Sequence, residues 1–386
     1  MDARTFVVAA ACIALGQTGC WMGRGQKPAP AEETGDSDAP ADTAAPLDTG
    51  EDADTGEAED TDTLTAADCN GATWPGDFTV GETGPLTVLL GYVAVEGDLT
   101  VSQTDLHDLD GLHCLESIGG RITICENESL RSISGLVNVD GAVGLLVREN
   151  PALEAIDGLY GITALPAGAV IRANPSLASL EGLASLEWGG KWFNINDNAS
   201  LASLEDLAAL QAAGSVSFTI AHCDGLADLS GLESLKAVGS AVIDGNGALE
   251  TLAGLEGLEQ ARGLRIADNG QLEDITALSA FERVGRLAIV DNDALETLAG
   301  LDSLAAVEQG IEILENGALA DLAGFAPDCS LGEQHVLVSV KDNPLLSTCG
   351  VVDLVAAYGA PCAGIDIDAE VCGNLPDGCG YEDCAD

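Results

Sequence analysis

The chain has 386 residues, and its 64 Asp and Glu outnumber 14 Lys and Arg, for a formal net charge of −50. Such a surface repels phosphate backbones and anionic lipid heads, which excludes DNA and RNA as partners and leaves a covalent lipid anchor as the route to a membrane. With 47 Gly and 4% aromatic residues, the composition predicts small units repeated rather than one bulky core.

Residues 1–20 read as an export signal: Arg4 supplies the positive start, and Thr5 to Leu15 form an apolar run too short to span a bilayer. The run ends in Gln17-Thr18-Gly19-Cys20, which resembles a bacterial lipobox, where a small residue precedes a Cys that is acylated and becomes the mature N-terminus. Thr18, Gly19 and Cys20 fit that pattern, whereas Gln17 stands where it has a Leu-like residue; ordinary cleavage with free secretion is the alternative. The resemblance implies lipidation at Cys20, stable anchoring through several acyl chains, and, with Trp21 following, an outer-membrane or cell-surface location.

Residues 21–68 read as a stalk. From Gln26 to Asp68 the chain carries fourteen acidic residues, no basic one after Lys27, and almost nothing to bury, so it cannot offset its ordering entropy. Two Asp-Thr-Gly triplets, at 48–50 and 54–56, mimic an aspartic protease, but that chemistry needs two carboxylates buried together in a folded cleft.

From Cys69 to residue 348 a repeat emerges. Aligning on Asn127, Asn150, Asn174, Asn198, Cys223, Asn246, Asn269, Asn292, Asn316 and Asn343 gives steps of 23, 24, 24, 25, 23, 23, 23, 24 and 27 residues. Three residues after each stands a Leu, from Leu130 to Leu346. Apolar rows follow at six, Ile133 to Leu322, and at nine, Leu136 to Phe325, the latter mostly preceded by Gly. The residues five and three before each Asn, such as Ile122 and Ile124 or Leu287 and Ile289, alternate with polar ones, the pattern of a short strand with one face inside. One coil cannot bury its own apolar residues, whereas stacked coils join them into a continuous core.

The repeated Asn should form an inward ladder, bonding backbone groups of its own and the next coil, because a buried amide without partners costs about 1–3 kcal/mol. Cys223 interrupts that ladder. Asn127-Glu-Ser129 and Asn198-Ala-Ser200 match a glycosylation sequon but occupy ladder positions. Upstream, Leu99 and Val101 form the strand of a further coil, with Leu106, Leu109, Leu112 and Leu115 at its corners, Gln103 or Thr104 at its turn, and a register slipped by one residue. Phe78 and Val80 suggest another strand before it.

The coil Val284 to Leu301 resembles the receptor L domain, a right-handed β-helix related to leucine-rich repeats, and bacterial lipoproteins with acidic threonine-rich stalks look similar. The resemblance covers about residues 69–350. It implies a mainly β fold, a right-handed parallel β-helix or solenoid of about 11 coils, and a binding or adhesive role toward an extracellular protein or glycan, without a shared active site or cofactor. Pro166 and Gly168 mark a loosened coil that departs from the pattern.

Residues 349–386 read as a Cys-rich cap: with Cys329 from the last coils, Cys349, Cys362, Cys372, Cys379 and Cys384 are disulfide candidates with fifteen possible pairings, and Val351 to Tyr358 suggest a short helix. Cys69, Cys114 and Cys125 are an odd set, in which one thiol would stay free or reach a partner. The four His, 107, 113, 222 and 335, pair with no recognisable Ser or Cys nucleophile, so no catalytic residue is expected. An acidic column precedes the ladder at Glu126, Glu149, Asp197, Asp268, Asp291, Glu315 and Asp342. It is a solvated edge or, as the alternative, a calcium site.

The outward strand faces of the coils ending at Asn150, Asn174 and Asn198 break the pattern most. Leu146, Arg148, Val170, Arg172, Trp192, Asn194 and Asn196 should face solvent there, with Trp188 and Lys191 close by. Trp and Arg are typical interface anchors, so Arg148, Arg172, Trp192, Asn194 and Asn196 are the candidate ligand-binding residues. A structural envelope lipoprotein and a β-helical carbohydrate enzyme are the alternative functions.

Overall fold

A computed structural model of the chain describes residues 69–322, 324–325, 336–352 and 367–375. The export signal, Cys20, the stalk and its triplets, His335, Cys329, Cys362, Cys379 and Cys384 lie outside the described residues.

Eighteen strands follow in chain order. The first nine are β1 (Ala72–Trp74), β2 (Phe78–Val80), β3 (Tyr92–Val95), β4 (Leu99–Ser102), β5 (Ser117–Ile118), β6 (Arg121–Cys125), β7 (Gly144–Arg148), β8 (Gly168–Arg172) and β9 (Trp188–Gly189). The rest are β10 (Trp192–Asn196), β11 (Ala212–Ala213), β12 (Ser217–Ala221), β13 (Ala237–Asp244), β14 (Gln260–Ala267), β15 (Arg283–Val290), β16 (Ala306–Leu314), β17 (Val336–Lys341) and β18 (Ile367–Cys372). Thirteen of them stack in one parallel sheet running from β2 to β18. The fold is thus a mainly β solenoid of about 11 turns, as the repeat predicts.

Parallel strands join in register along this sheet, so equivalent residues stack from coil to coil: Ile124, Val147, Ile171, Ile195, Ile220 and Ile243 form one inward row. The rows at three, six and nine residues past each Asn are buried with them, apart from the half-buried Leu322. A fourth row, twelve past the Asn, completes the core: Val139, Ile162, Leu186, Leu210, Leu235, Leu258, Phe281 and Leu304 are all buried. The glycines ahead of the nine-past row follow from coil-to-coil distance. A Cβ at Gly135 would lie 1.7 Å from the Leu109 carbonyl oxygen, and one at Gly254 1.9 Å from that of Leu229.

The ladder forms as expected. Asn174 Oδ1 accepts from the Asn150 backbone N–H and from Asn150 Nδ2, both at 3.1 Å, while Asn174 Nδ2 donates to the carbonyls of Val147 and Arg172. Asn127 and Asn198, the two sequon positions, are fully buried in it. At the N-terminal end Thr104 takes the Asn place, its N–H and hydroxyl both donating to Asn127 Oδ1, and Gln103 takes the left-handed turn before it. Ten such residues, including all seven of the acidic column, have φ between 52° and 58°. The column is therefore the bend that ends each strand and turns the Asn inward, a conformation that costs a non-glycine residue about 1 kcal/mol or more.

The sequence places the end of the solenoid at residue 348, but the sheet and the ladder continue beyond it. β18 pairs with β17, and Asn343 N–H donates to Asn374 Oδ1 at 3.1 Å, so a further coil lies inside the segment read as a cap. Residues 348–352 are helical, beginning before the expected Val351. Cys69 pairs with Cys114, and Cys125, Cys349 and Cys372 are also disulfide-bonded. Of the two expectations for the odd set Cys69, Cys114 and Cys125, a free thiol is ruled out and the thiol that reaches a partner is Cys125. Among the described residues the free cysteine is Cys223, inside the ladder.

Candidate functional site

Two smaller sheets, β1-β3-β5 and β9-β11, accompany the main one, and the corner that leads into the main sheet differs along the solenoid. In β13, β14 and β15 the chain rounds this corner within the main sheet as a single strand of 8 residues. In the coils ending at Asn198 and Cys223 it breaks: β9 and β10 are separated by Gly190 and Lys191, and β11 and β12 by Gly214, Ser215 and Val216. Those coils have 24 and 25 residues, against 23 for the three after them, and their extra residues fall at the corner; the other 24-residue coils end at Asn174 and Asn316. Gly190 and Gly214 carry the turn with φ of +66° and +59°.

The lengthened corners project side chains outward in a stack. Backbone bonds link Ala167 N–H to Val143 O at 2.7 Å, Trp192 N–H to Ala167 O at 3.4 Å and Val216 N–H to Lys191 O at 3.0 Å. Val143, Trp188 and Val216 are exposed along this stack, Trp188 at 46%, and Trp192 is half-buried beside them.

Behind the corner, the row formed by the last residue of each strand runs Arg148, Arg172, Asn196, Ala221. Arg148 bridges Glu149 at 2.5 Å and Glu126 at 3.2 Å and is largely covered, so its charge is already neutralised within the protein. Arg172 has no ion-pair partner among the described residues; the residue after it is Ala173, where seven other coils carry an acid. Its Nε and the Oδ1 of Asn196, its partner in the strand register, are each buried without a hydrogen-bond partner.

Two expected solvent-facing residues are instead covered. Asn194 is 7% and Val170 8% exposed, although both lie on the outer face. In-register stacking sets Val170 between Leu146 and Asn194 at the spacing of adjacent strands, about 4.8 Å, and Asn194 Oδ1 accepts from Ser217 Oγ at 3.2 Å. Arg172, Trp192 and Asn196 thus remain from the five candidates. Val143 and Val216 were missed; the lengthened step signalled Val216 alone, because Val143 lies in the 23-residue coil that ends at Asn150.

The acidic column meets the protein's own cations along part of its length: Glu126 and Glu149 at Arg148, and Asp268 at Arg265 Nη2, 3.8 Å away. A groove of about 710 Å³ opens beside it, lined by Gln103, Asp105, Glu126, Glu128 and Glu149 among others. Cys69, His113 and Cys114 lie within metal-ligand distance of one another, but the disulfide leaves no thiolates to bind an ion. His113 Nε2 lies 3.5 Å from Cys114 Sγ, so that His faces a disulfide sulfur rather than a nucleophile. Burial pushes the Cys223 thiol up to about 11, with Asp197 and Asp224 adding to the shift against the opposing Asn198 N–H. No helix among the described residues is long and apolar enough to cross a membrane. No protein-family model matches the chain, and no curated protein matches it either.

Proposed function

We propose that the chain is an exported, non-catalytic binding protein of receptor L-domain type, held at the cell surface through acyl groups on Cys20 behind its acidic stalk. It presents the corner of its lengthened coils to an extracellular protein or glycan. The observation that carries this reading is the coincidence of the lengthened corners with Trp188, Trp192 and the unpaired Arg172, in a chain with only 4 Trp and a net charge of −50. Trp and Arg supply most of the anchoring energy at interfaces, and Val143 and Val216 extend the apolar area beside them.

The test is a screen of the full chain against glycan arrays and purified surface proteins, repeated with Trp192→Ala, Arg172→Ala and Arg131→Ala. Arg131 sits in an exposed ion pair with Glu154 and serves as the control. Binding should fall at least tenfold in the first two variants and persist in the third; undiminished binding in both sinks the site. Anchoring is read separately: palmitate label should appear on the parent chain and vanish in Cys20→Ala, and an unlabelled parent refutes lipidation.

A further inference from the structure

Of the 14 Lys and Arg, three precede residue 69, and four of the remaining eleven fall on two adjacent strands: Arg262 and Arg265 on β14, Arg283 and Arg286 on β15. The four divide sharply. Arg265 has Asp244 and Asp268 as partners and Arg286 has Glu312, whereas Arg262 and Arg283 are exposed and have no ion-pair partner among the described residues. In a chain so rich in carboxylates, two neighbouring guanidinium groups left open are a specific arrangement. Both line one hollow of about 440 Å³, together with Gln260, Ser215 and Glu308. Ala237 and the nearly buried Val238, Ala261 and Val284 also border it, and it lies where β13, β14 and β15 turn the corner unbroken.

We propose that this hollow binds a single acidic sugar residue, Arg262 and Arg283 taking its carboxylate or sulfate and Gln260, Ser215 and Glu308 its hydroxyl groups. Guanidinium groups recognise oxyanions through paired N–H donors. Gln260 and Ser215 supply polar contacts suited to hydroxyl groups, and Glu308 supplies an acceptor for a sugar hydroxyl that a bare inorganic anion would not use. A volume in this range is typical of small-ligand sites. The surrounding charge sets the upper size: a polyanion would be repelled beyond the hollow, so the ligand is one acidic residue, free or at a chain end. The site is separate from the Trp192 corner and stands or falls without it.

The test is calorimetric titration of the full chain with galacturonic acid, galactose 6-sulfate, galactose and inorganic sulfate. At least one acidic sugar should bind five-fold or more tighter than galactose and than inorganic sulfate. Arg262→Gln and Arg283→Gln, both exposed positions, should each weaken it at least five-fold with an unchanged thermal midpoint, and Trp192→Ala should bind as the parent does. The proposal is overturned if neither acidic sugar binds, if galactose or sulfate binds equally well, or if both Arg variants retain parental affinity.

Discussion

The coils ending at Asn198 and Cys223 and those ending at Asn246, Asn269 and Asn292 share one interior and differ in one corner. Inside, both groups stack the same apolar rows, and in both each Asn of the ladder is fully buried. Outside, the first group bends through left-handed glycines and raises Trp188, Trp192 and Val216, while the second runs straight as 8-residue strands and sets Arg262 and Arg283 around a hollow. The interior is constrained by stacking, since a misfit in one coil is felt by both neighbours. A corner residue touches solvent, and the solenoid absorbs its variation.

The strongest challenge to that contrast is to remove one rung from each group. Asn198→Ala leaves the Asn174 N–H buried without its acceptor, and Asn269→Ala does the same to Asn246, whose N–H lies 3.0 Å from Asn269 Oδ1. Each should cost about 3 kcal/mol, since an unsatisfied buried group costs ~1–3 kcal/mol and carbonyls lose their donor as well. Equal losses of denaturation midpoint would support a common interior; a rung that is free to lose in one group would break it.

Glycine substitutions probe the corners themselves. Gly214→Ala places a side chain at φ +59° with its Cβ 2.7 Å from Phe218 Cβ, and should cost about 1–3 kcal/mol. Gly263→Ala, on β14, meets Ser240 Oγ at 3.6 Å, an ordinary contact, and should leave the thermal midpoint unchanged within error. If the two variants melt alike, the lengthened corner is not a distinct geometry.

Nearly all of the interior was legible in the sequence, because stacking forces the same residue type into the same place every 23 to 25 residues. The Asn ladder, the Leu rows and the slip at Gln103-Thr104 could be read from spacing alone. What escaped was whatever spacing does not encode. Asn374 was missed because it follows Asn343 by 31 residues, well beyond the repeat length. The cover over Asn194 comes from side chains in neighbouring coils, and alternation along one strand says nothing of them. Arg148 looked free because its acids, Glu126 and Glu149, come from the bend of the previous coil and its own.

Cys223 lies at the boundary between the two groups and offers the finer tests. Its N–H donates to Asn246 Oδ1 at 3.0 Å as an Asn would, but its sulfur only grazes the carbonyls of Ala221 and Ile195, at 3.5 and 3.8 Å. Cys223→Asn should restore the acceptor for Asn198 N–H and raise stability by about 1 kcal/mol, the net worth of a good hydrogen bond. A fall instead would mean that the 25-residue coil has no room for the amide.

A test of similar size isolates the thiol. Its folded value of about 11 lies above the ordinary thiol range, mainly because burial disfavours the thiolate. The folded chain therefore holds the proton more tightly than the unfolded chain. That contribution is complete below about pH 8.5, where the unfolded thiol still holds its proton, and declines as the pH rises toward the folded value. Between pH 8 and 9.5 the parent should lose somewhat under ~1.4 kcal/mol relative to Cys223→Ala, since one pH unit of unmatched titration is worth that much. Thermal midpoints of the two proteins across this window provide the measurement. Parallel curves would show that the thiol reaches solvent, and the ladder would then be open at the boundary between its two kinds of coil.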